Sequence, residues 1–520
     1  MTQSDIGLMD LPVEILYYIF NKLDNVDVLY SLFGINNKRI DNIIRDQIFS
    51  NTLNLTRIID NTLIFNRFCN SIIPQIRSNV QCLTVDSLSI EHIHYPNLNH
   101  LKFINFQRDN CLHHFTDQSS ADYILRNQIT KLELSNIDHE RKIGTLARYT
   151  ETVYVHILNY FQQLKYFAVP KTTTYGYPGL SLCHLPSNTF SSRTLTYLSI
   201  HVSTFADCLC LLDGRLKQLN TFIVKTYSMD TNQSVAHNLD DLSNMKYFSF
   251  IYCGLIEEFD DKIISLLRRM LNLKKLTLYL RVKSQNQFLD PISLINEYSM
   301  DMKQLQSFDY YISTENNQKD YSHHLCNNNV KHKYLNMNRE VTNIISFGFN
   351  TVTYHVFTVP FKFAKLMNIG NIFPNIMFNN VIELWIHDVI PFEHEFFLRI
   401  AQLFPLLKSL FVNDYAPLSY VSNQSSHEIH SSTIARYPHL SSLSLTNIGT
   451  RYIEQFLNEN KTNLPCLTSL RVFYQYLRIV TEDFTREATR HNCVNIKQLT
   501  TYSYIVGSKD FHNYFPLLNT

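Results

Sequence analysis

Glycine is scarce in this chain, with eleven residues in 520. So few leave backbone little opportunity to close on a phosphate. Neither a Gly-x-x-x-x-Gly-Lys-Ser/Thr loop, a Gly-x-Gly-x-x-Gly turn nor a Gly-x-Ser-x-Gly elbow occurs, which argues against nucleotide and serine-hydrolase chemistry. An excess of one charge is missing too. Lys plus Arg number 46 against 45 Asp plus Glu, too even for the broad electrostatic footprint of a nucleic-acid or anionic-membrane binder. No apolar run approaches the roughly 18 residues of a membrane span, and Met1 to Asp10 carry an early acid in place of a basic and apolar leader. Neither secretion nor membrane insertion is expected. Cysteine forms no framework: the ten are scattered, with only Cys208 and Cys210 close together. Reduced thiols and a cytoplasmic or nuclear location follow.

What is present is ample core material, at 45% hydrophobic and 18% charged residues. At ~150 residues per domain the length allows roughly three domains, unless the chain is an array of repeats. Its most informative stretch runs from Leu8 to about Asp46 and predicts three short helices. Pro12 suits a first helical position, and Glu14 faces the positive end of the helix dipole. Leu16, Ile19, Phe20 and Leu23 then share one helical face. Asn25 and Asp27 are candidate caps of a second helix bearing Val28, Leu29, Leu32 and Phe33. Asn36 and Asn37 open a third, striped by Ile40, Ile43, Ile44 and Ile48. A unit of roughly 40 residues buries too little apolar surface to stand comfortably alone, so part of these stripes should be covered by another protein.

The order Leu11-Pro12-x-Glu14-Ile15-Leu16-x-x-Ile19-Phe20-x-x-Leu23, followed by Asp27-Val28-Leu29 and Asn37-Lys38-Arg39, resembles the F-box, the module that docks on the Skp-type adaptor of cullin–RING ubiquitin ligases. The resemblance implies an adaptor-facing surface of Leu11, Pro12, Ile15, Leu16, Ile19, Phe20 and Leu23, with Leu29 and Leu32 from the second helix. Ile40 stands where many F-boxes carry Trp. The alternative is an amphipathic cap closing one end of the domain that follows.

From residue 76 onward one spacing returns: apolar, two variable, Leu or Phe, one variable, apolar. Clear copies are Ile129–Asn136, Leu195–Ile200, Leu273–Leu278 and Leu440–Asn447. Weaker ones are Leu98–Phe103, Leu164–Val169, Met245–Phe250, Leu305–Tyr310, Val381–Ile386, Leu407–Val412 and Leu467–Val472. They predict short strands, separated irregularly by about 25 to 35 residues. Segments of helical spacing lie between them, at Asp122–Asn127, Glu151–Gln163, Asp261–Leu271, His394–Phe404 and Tyr452–Leu457. This alternation resembles the irregular leucine-rich repeats that follow many F-boxes and implies an α/β horseshoe of short parallel strands and helices. The strand motif ends in Asn at Asn136 and Asn447 but seldom elsewhere, so asparagine ladders are not expected.

The expected organisation is an F-box-like helical domain at 5–50, a helical linker at 51–75 and an irregular solenoid at 76–520. Loop insertions are expected near 171–194, 314–340 and 419–433. Val341–Val359 reads as an elongated or paired strand, with a second domain boundary there as the alternative.

Catalytic groupings are not found. His113-His114 and His323-His324-x-Cys326, with His332, lack the paired spacing of zinc ligands and read as solvated loop. Glu257-Glu258 and Asp260-Asp261 read as helix caps. No cofactor and no metal are expected. Alternation along each strand puts Thr277 and Tyr279, Asp309 and Tyr311, Trp385 and His387, Phe411 and Asn413, Ser444 and Thr446, and Arg471 and Phe473 on one inner surface. A substrate patch of Trp385, His387, Phe411, Asn413, Arg471 and Phe473 follows, because Trp and Arg are frequent binding anchors. Together with the F-box resemblance, this implies a non-enzymatic substrate receptor of an SCF-type ubiquitin ligase, bound through the Skp-type adaptor to a cullin–RING assembly and to an unknown protein substrate. The alternative function is a leucine-rich-repeat scaffold with no ubiquitin role.

Overall fold

Each copy of the apolar spacing becomes a strand preceded by its first apolar residue, which is buried in all but the Leu305 copy. The computed structural model describes residues 7–86, 95–108, 125–135, 144–170, 179–230, 240–257, 262–284, 302, 304–316, 340–348, 351–414, 433–446, 448–502 and 509–518. The chain divides into two compact units: Met1–Tyr252 with Ile263–Lys275 and Asp301–Leu305, and Cys253–Lys262 with Leu276–Met300 and Gln306–Thr520. The architecture is mixed α/β, rich in parallel strands.

In the first unit, strands β1 (Thr52–Asn54), β2 (Cys82–Asp86), β3 (His100–Ile104), β4 (Lys131–Ser135), β5 (Tyr166–Ala168), β6 (Tyr197–Thr204), β7 (Thr221–Ser228) and β8 (Tyr247–Tyr252) pair in chain order. Every pair is parallel. The central residue of the spacing therefore forms one buried row in register: Leu83, Leu101, Leu132, Phe167, Leu198, Phe222 and Phe248. Neighbours along each strand alternate away from that row, as a pleat requires.

Register is set at the strand entry. One carbonyl oxygen there accepts two consecutive N–H groups from the next turn: Gln81 from Asn99 and His100, Asn99 from Thr130 and Lys131, Thr130 from Lys165 and Tyr166. The series continues through Lys165, Thr196, Asn220 and Lys246. A side chain adds a second tie. Asn97, Gln128, Asn244 and Asn272 each stand one residue ahead of the first apolar residue of the spacing. Their amides donate to the backbone oxygens of Ser78, Tyr95, Lys217 and Ser243. These amide ties stand at the front of the motif and on some turns only, so they do not make a regular ladder. Asn136 and Asn447, at the end of the motif, lie outside the described residues.

Ahead of the sheet stand α1 (Val13–Phe20), α2 (Asn25–Leu32), α3 (Lys38–Ile44) and α4 (Gln47–Ser50). Pro12 is the residue before the first helical position of α1, one step earlier than expected. The cap of α2 is Asp24, whose carboxylate accepts from the Val26 N–H at 2.9 Å, and not Asn25 or Asp27. Asn25 instead donates to the carbonyls of Ile48 and Thr52 and so ties α2 to β1. Asn37 caps α3 as expected, accepting from the N–H groups of Arg39 and Ile40. Residues 51–75 are not simply a helical linker: they begin with β1, whose pairing with β2 makes it the first strand of the sheet. Thr62–Ile76 is helical.

In the second unit, β9 (Lys275–Ser284), β10 (Ser307–Asn316), β11 (Glu340–Phe347) and β12 (Val352–Val359) run in the spatial order β9-β10-β12-β11, with both pairs made by β12 antiparallel. The expected paired strand at Val341–Val359 is therefore present. The polar stretch 314–340 begins inside β10, and 317–339 lie outside the described residues. A six-stranded parallel sheet follows, of β13 (Lys365–Ile369), β14 (Glu383–Asp388), β15 (Ser409–Asp414), β17 (Ser442–Leu445), β19 (Ser469–Val472) and β20 (Gln498–Thr500). A short pair, β16 (Ala435–Arg436) and β18 (Thr462–Asn463), lies apart from it. The entry carbonyls recur at Ala364, Ile382, Lys408, Ser441 and Thr468. The amide ties recur at Asn380 and Asn495.

The expected helices are found at Leu146–Tyr160, Lys262–Arg268, His394–Leu403 and Thr450–Leu457. The expected one at Asp122–Asn127 begins outside the described residues, as do 171–178 and 415–432 of the two other insertions. What is described of the first insertion is no mere rim: Leu180, Leu182 and Phe190 are buried, and Leu180 bridges Val202.

Leu132→Ala, at the centre of the buried row, is expected to cost about 2–5 kcal/mol. Asn272→Ala, which loses one amide tie at the surface, should cost about 1 kcal/mol. Denaturant midpoints measured at unchanged slope check both.

Candidate functional site

Two surfaces, one in each unit, carry the residues that the sequence singles out. The first is built on the helices. Leu16 and Phe20 of α1 point inward with Val26, Val28, Leu29, Phe33, Ile40, Ile43, Ile44 and Phe49, and all are buried. Phe49 meets Phe20 edge to face at 6.1 Å and Tyr17 at 5.5 Å. Tyr17 donates its hydroxyl to Asp46 at 2.7 Å. That bond raises the tyrosine pKa. The Asp46 carboxyl is held below its usual range first by the Ile48 N–H and then by Tyr17. Arg39 donates to the Leu11 carbonyl and fixes the chain entering α1.

The expected adaptor-facing set is accordingly divided. Leu16, Phe20 and Leu29 belong to the bundle's own core, because a helix only eight residues long must spend one i, i+4 pair on its neighbours. Leu11, Ile19 and Leu32 are half-buried, and Pro12, Ile15 and Leu23 are exposed, Ile15 by 44% and Leu23 by 52%. Val13, Tyr18 and Leu8 extend the exposed apolar strip, Tyr18 at 66%. Sequence reasoning passed over them, although Tyr18 falls at i+3 from Ile15 on the same side of the helix.

The second surface is the outward face of the six-stranded sheet. Parallel pairing puts Trp385, Phe411, Ser444, Arg471 and Thr500 in one row. Trp385 and Phe411 stack at 4.0 Å with planes 8° apart. The indole N–H donates to Glu383 Oε1 at 2.9 Å, and Lys365 Nζ, 2.6 Å from the same oxygen, sits over the indole ring at 5.4 Å. Beside that row, His387 is opposite Asn413, whose side-chain oxygen accepts from Thr446 at 3.0 Å. Phe473 stacks with Tyr502 at 4.8 Å. Arg471 is exposed and makes no ion pair among the described residues. Trp385, Phe411, Asn413, Arg471 and Phe473 thus share one accessible face, whereas His387 is buried.

No protein-family model matches the chain, and no curated protein matches it. Function must be read from these surfaces.

The expected inner surface does not extend to β9 and β10. Thr277, Tyr279, Asp309 and Tyr311 are buried. The chain leaving β12 folds over the two tyrosines: Phe363 lies 5.3 Å from the Tyr279 ring, Phe361 lies 5.8 Å from the Tyr311 ring, and the Tyr311 hydroxyl is 3.4 Å from the Met367 carbonyl oxygen. Within this layer the Tyr311 hydroxyl lies 2.9 Å from His355 Nδ1. Burial, then the charges of Arg281 and His387, push His355 down to about 3. Among the described residues no group of His, Cys, Asp and Glu has metal-binding geometry, and no helix is long and apolar enough to cross a membrane. The sequence clusters at His113-His114 and His323–His332 lie outside the described residues.

Trp385→Ala should cost only about 1–2 kcal/mol, the loss of a half-exposed stack, whereas Leu384→Ala beside it should cost about 2–5. Chemical denaturation of the two variants separates an accessible Trp385 from a core one. Because His355 is neutral when folded, with a pKa below its unfolded value, its contribution is complete above about pH 6.5 and is lost as pH falls toward about 3. His355→Gln should flatten that part of the stability curve by up to roughly 1.4 kcal/mol per pH unit.

Proposed function

We propose that this chain is a non-catalytic substrate receptor of an SCF-type ubiquitin ligase, with α1–α3 as an F-box that docks on a Skp-type adaptor and the strand-and-helix repeats as an irregular leucine-rich solenoid that recruits a protein. The observation that carries the reading is the exposed apolar strip on α1. Pro12, Val13, Ile15 and Tyr18 stand in solvent although the bundle already has a closed core of its own. Side chains of that size gain about 1.5–3 kcal/mol each on full burial, so a partner covering them gains several-fold that amount. Strands in chain order, each with its row residue buried, support the solenoid. The row of Trp385, Phe411 and Arg471, an aromatic pair beside an uncompensated cation, supports a protein-binding face there. Ubiquitin transfer is then the work of other subunits. The receptor's contribution is proximity, which raises the effective concentration of a substrate lysine to about the mM range for short tethers.

The scaffold alternative has one observation in its favour: Asn25 and α2 are tied to β1. For the same reason removal of residues 1–50 uncovers the buried Leu53 under either reading and does not discriminate. Exposed side chains do. Pro12→Ala, Ile15→Ala and Tyr18→Ala combined should abolish capture by purified Skp-type adaptor with little change in melting temperature. Retained capture would sink the docking surface.

A further inference from the structure

On the face of the first sheet opposite the buried row, three reactive groups converge. Leu83 and Val85, Leu101 and Phe103, and Leu132 and Leu134 point into the core, so Cys82, His100 and Glu133 project the other way. Cys82 is directly opposite His100 in the β2–β3 pairing. Glu133 is opposite Lys102, two residues along from His100, in the β3–β4 pairing. His100 Nε2 is 3.1 Å from Glu133 Oε1, and Lys102 Nζ is 3.5 Å from Glu133 Oε2. The Cys82 side chain stands beside the imidazole on the neighbouring strand, on the same face of the sheet. Cys82, His100 and Glu133 are all part-covered and reachable from solvent.

Burial alone lowers the pKa of His100, but the neighbouring Cys82 and Glu133 outweigh it and raise the value to about 9. The Glu133 carboxyl is correspondingly lowered, first by its bond to His100. The ring thus lies between a sulfur and a carboxylate, the arrangement in which a histidine serves a thiol nucleophile and a third group orients the ring.

We propose that Cys82 is a nucleophilic thiol poised by the positioning residues His100 and Glu133, a modification site for small soft electrophiles of the peroxide class. This proposal does not rest on the ubiquitin-ligase reading. With hydrogen peroxide the thiolate sulfur bonds to one oxygen, the O–O bond breaks, and the departing hydroxide takes the imidazolium proton and leaves as water. Cys82 becomes a sulfenic acid, oxidised by two electrons that the peroxide gains. Acyl transfer is not part of the proposal: the N–H groups of Cys82 and His100 are committed to the carbonyls of Asn51 and Gln81, which leaves neither available to an oxyanion.

The test is alkylation of the intact chain by iodoacetamide, followed site by site by peptide mass spectrometry, with the exposed Cys466 as internal reference. At neutral pH Cys82 should react roughly tenfold faster than Cys466. His100→Gln should remove the advantage, Glu133→Gln should reduce it, and dilute peroxide followed by a sulfenic-acid trap should label Cys82 first. A wild-type Cys82 no faster than Cys466, or an advantage that survives His100→Gln, overturns the proposal. The wild-type rates decide even where a variant fails to fold.

Discussion

The structure depends on a carbonyl oxygen that accepts two consecutive N–H groups at the mouth of β2 to β9 and of β14, β15, β17, β19 and β20. Each such oxygen pins the next turn of chain to the last, so the buried row from Leu83 to Phe248 stays in register although the intervening segments differ widely in length. A parallel sheet needs a long crossover between strands, and irregular crossovers would let register slip by one residue and turn every apolar side chain outward. The doubled hydrogen bond, with an amide such as Asn244 or Asn272 beside it, removes that freedom.

What register protects on one side it displays on the other. Residues that alternate away from the core stand in ordered rows, and this brings Trp385 over Phe411 and Cys82 beside His100, pairs widely separated in chain position. Function in such an architecture is a property of rows. The helical head follows a different logic: four short helices close a small core around Leu16, Phe20 and Phe49 and leave an apolar strip exposed on α1.

Much of this was legible. The strands were located by spacing alone because two inward residues one apart, with a third ahead of them, are the least a short buried strand needs. Some copies escaped notice. Val80, Leu83 and Val85, and Leu219, Phe222 and Val224, keep the same spacing and form β2 and β7. The amide tie was not legible, because a single Asn ahead of an apolar residue, as at Asn97, Asn244 and Asn272, carries no periodicity to mark it. In the head, the apolar stripes were right in position but not in allocation: a stripe states which residues seek burial, not whether the chain or a partner supplies it.

The sequence by itself determined the strands, the helices between them and the apolar character of α1, because alternation and 3.6-residue spacing are local properties of backbone geometry. Only the tertiary structure decided which side chains remained available. Tyr279 and Tyr311 occupy the same kind of outward position as Trp385 and Phe411, yet the first pair lies under Phe361 and Phe363 and the second is open, because the chain leaving β12 happens to cross one set of rows and not the other. Exposure is a property of distant segments meeting, and no local pattern encodes it.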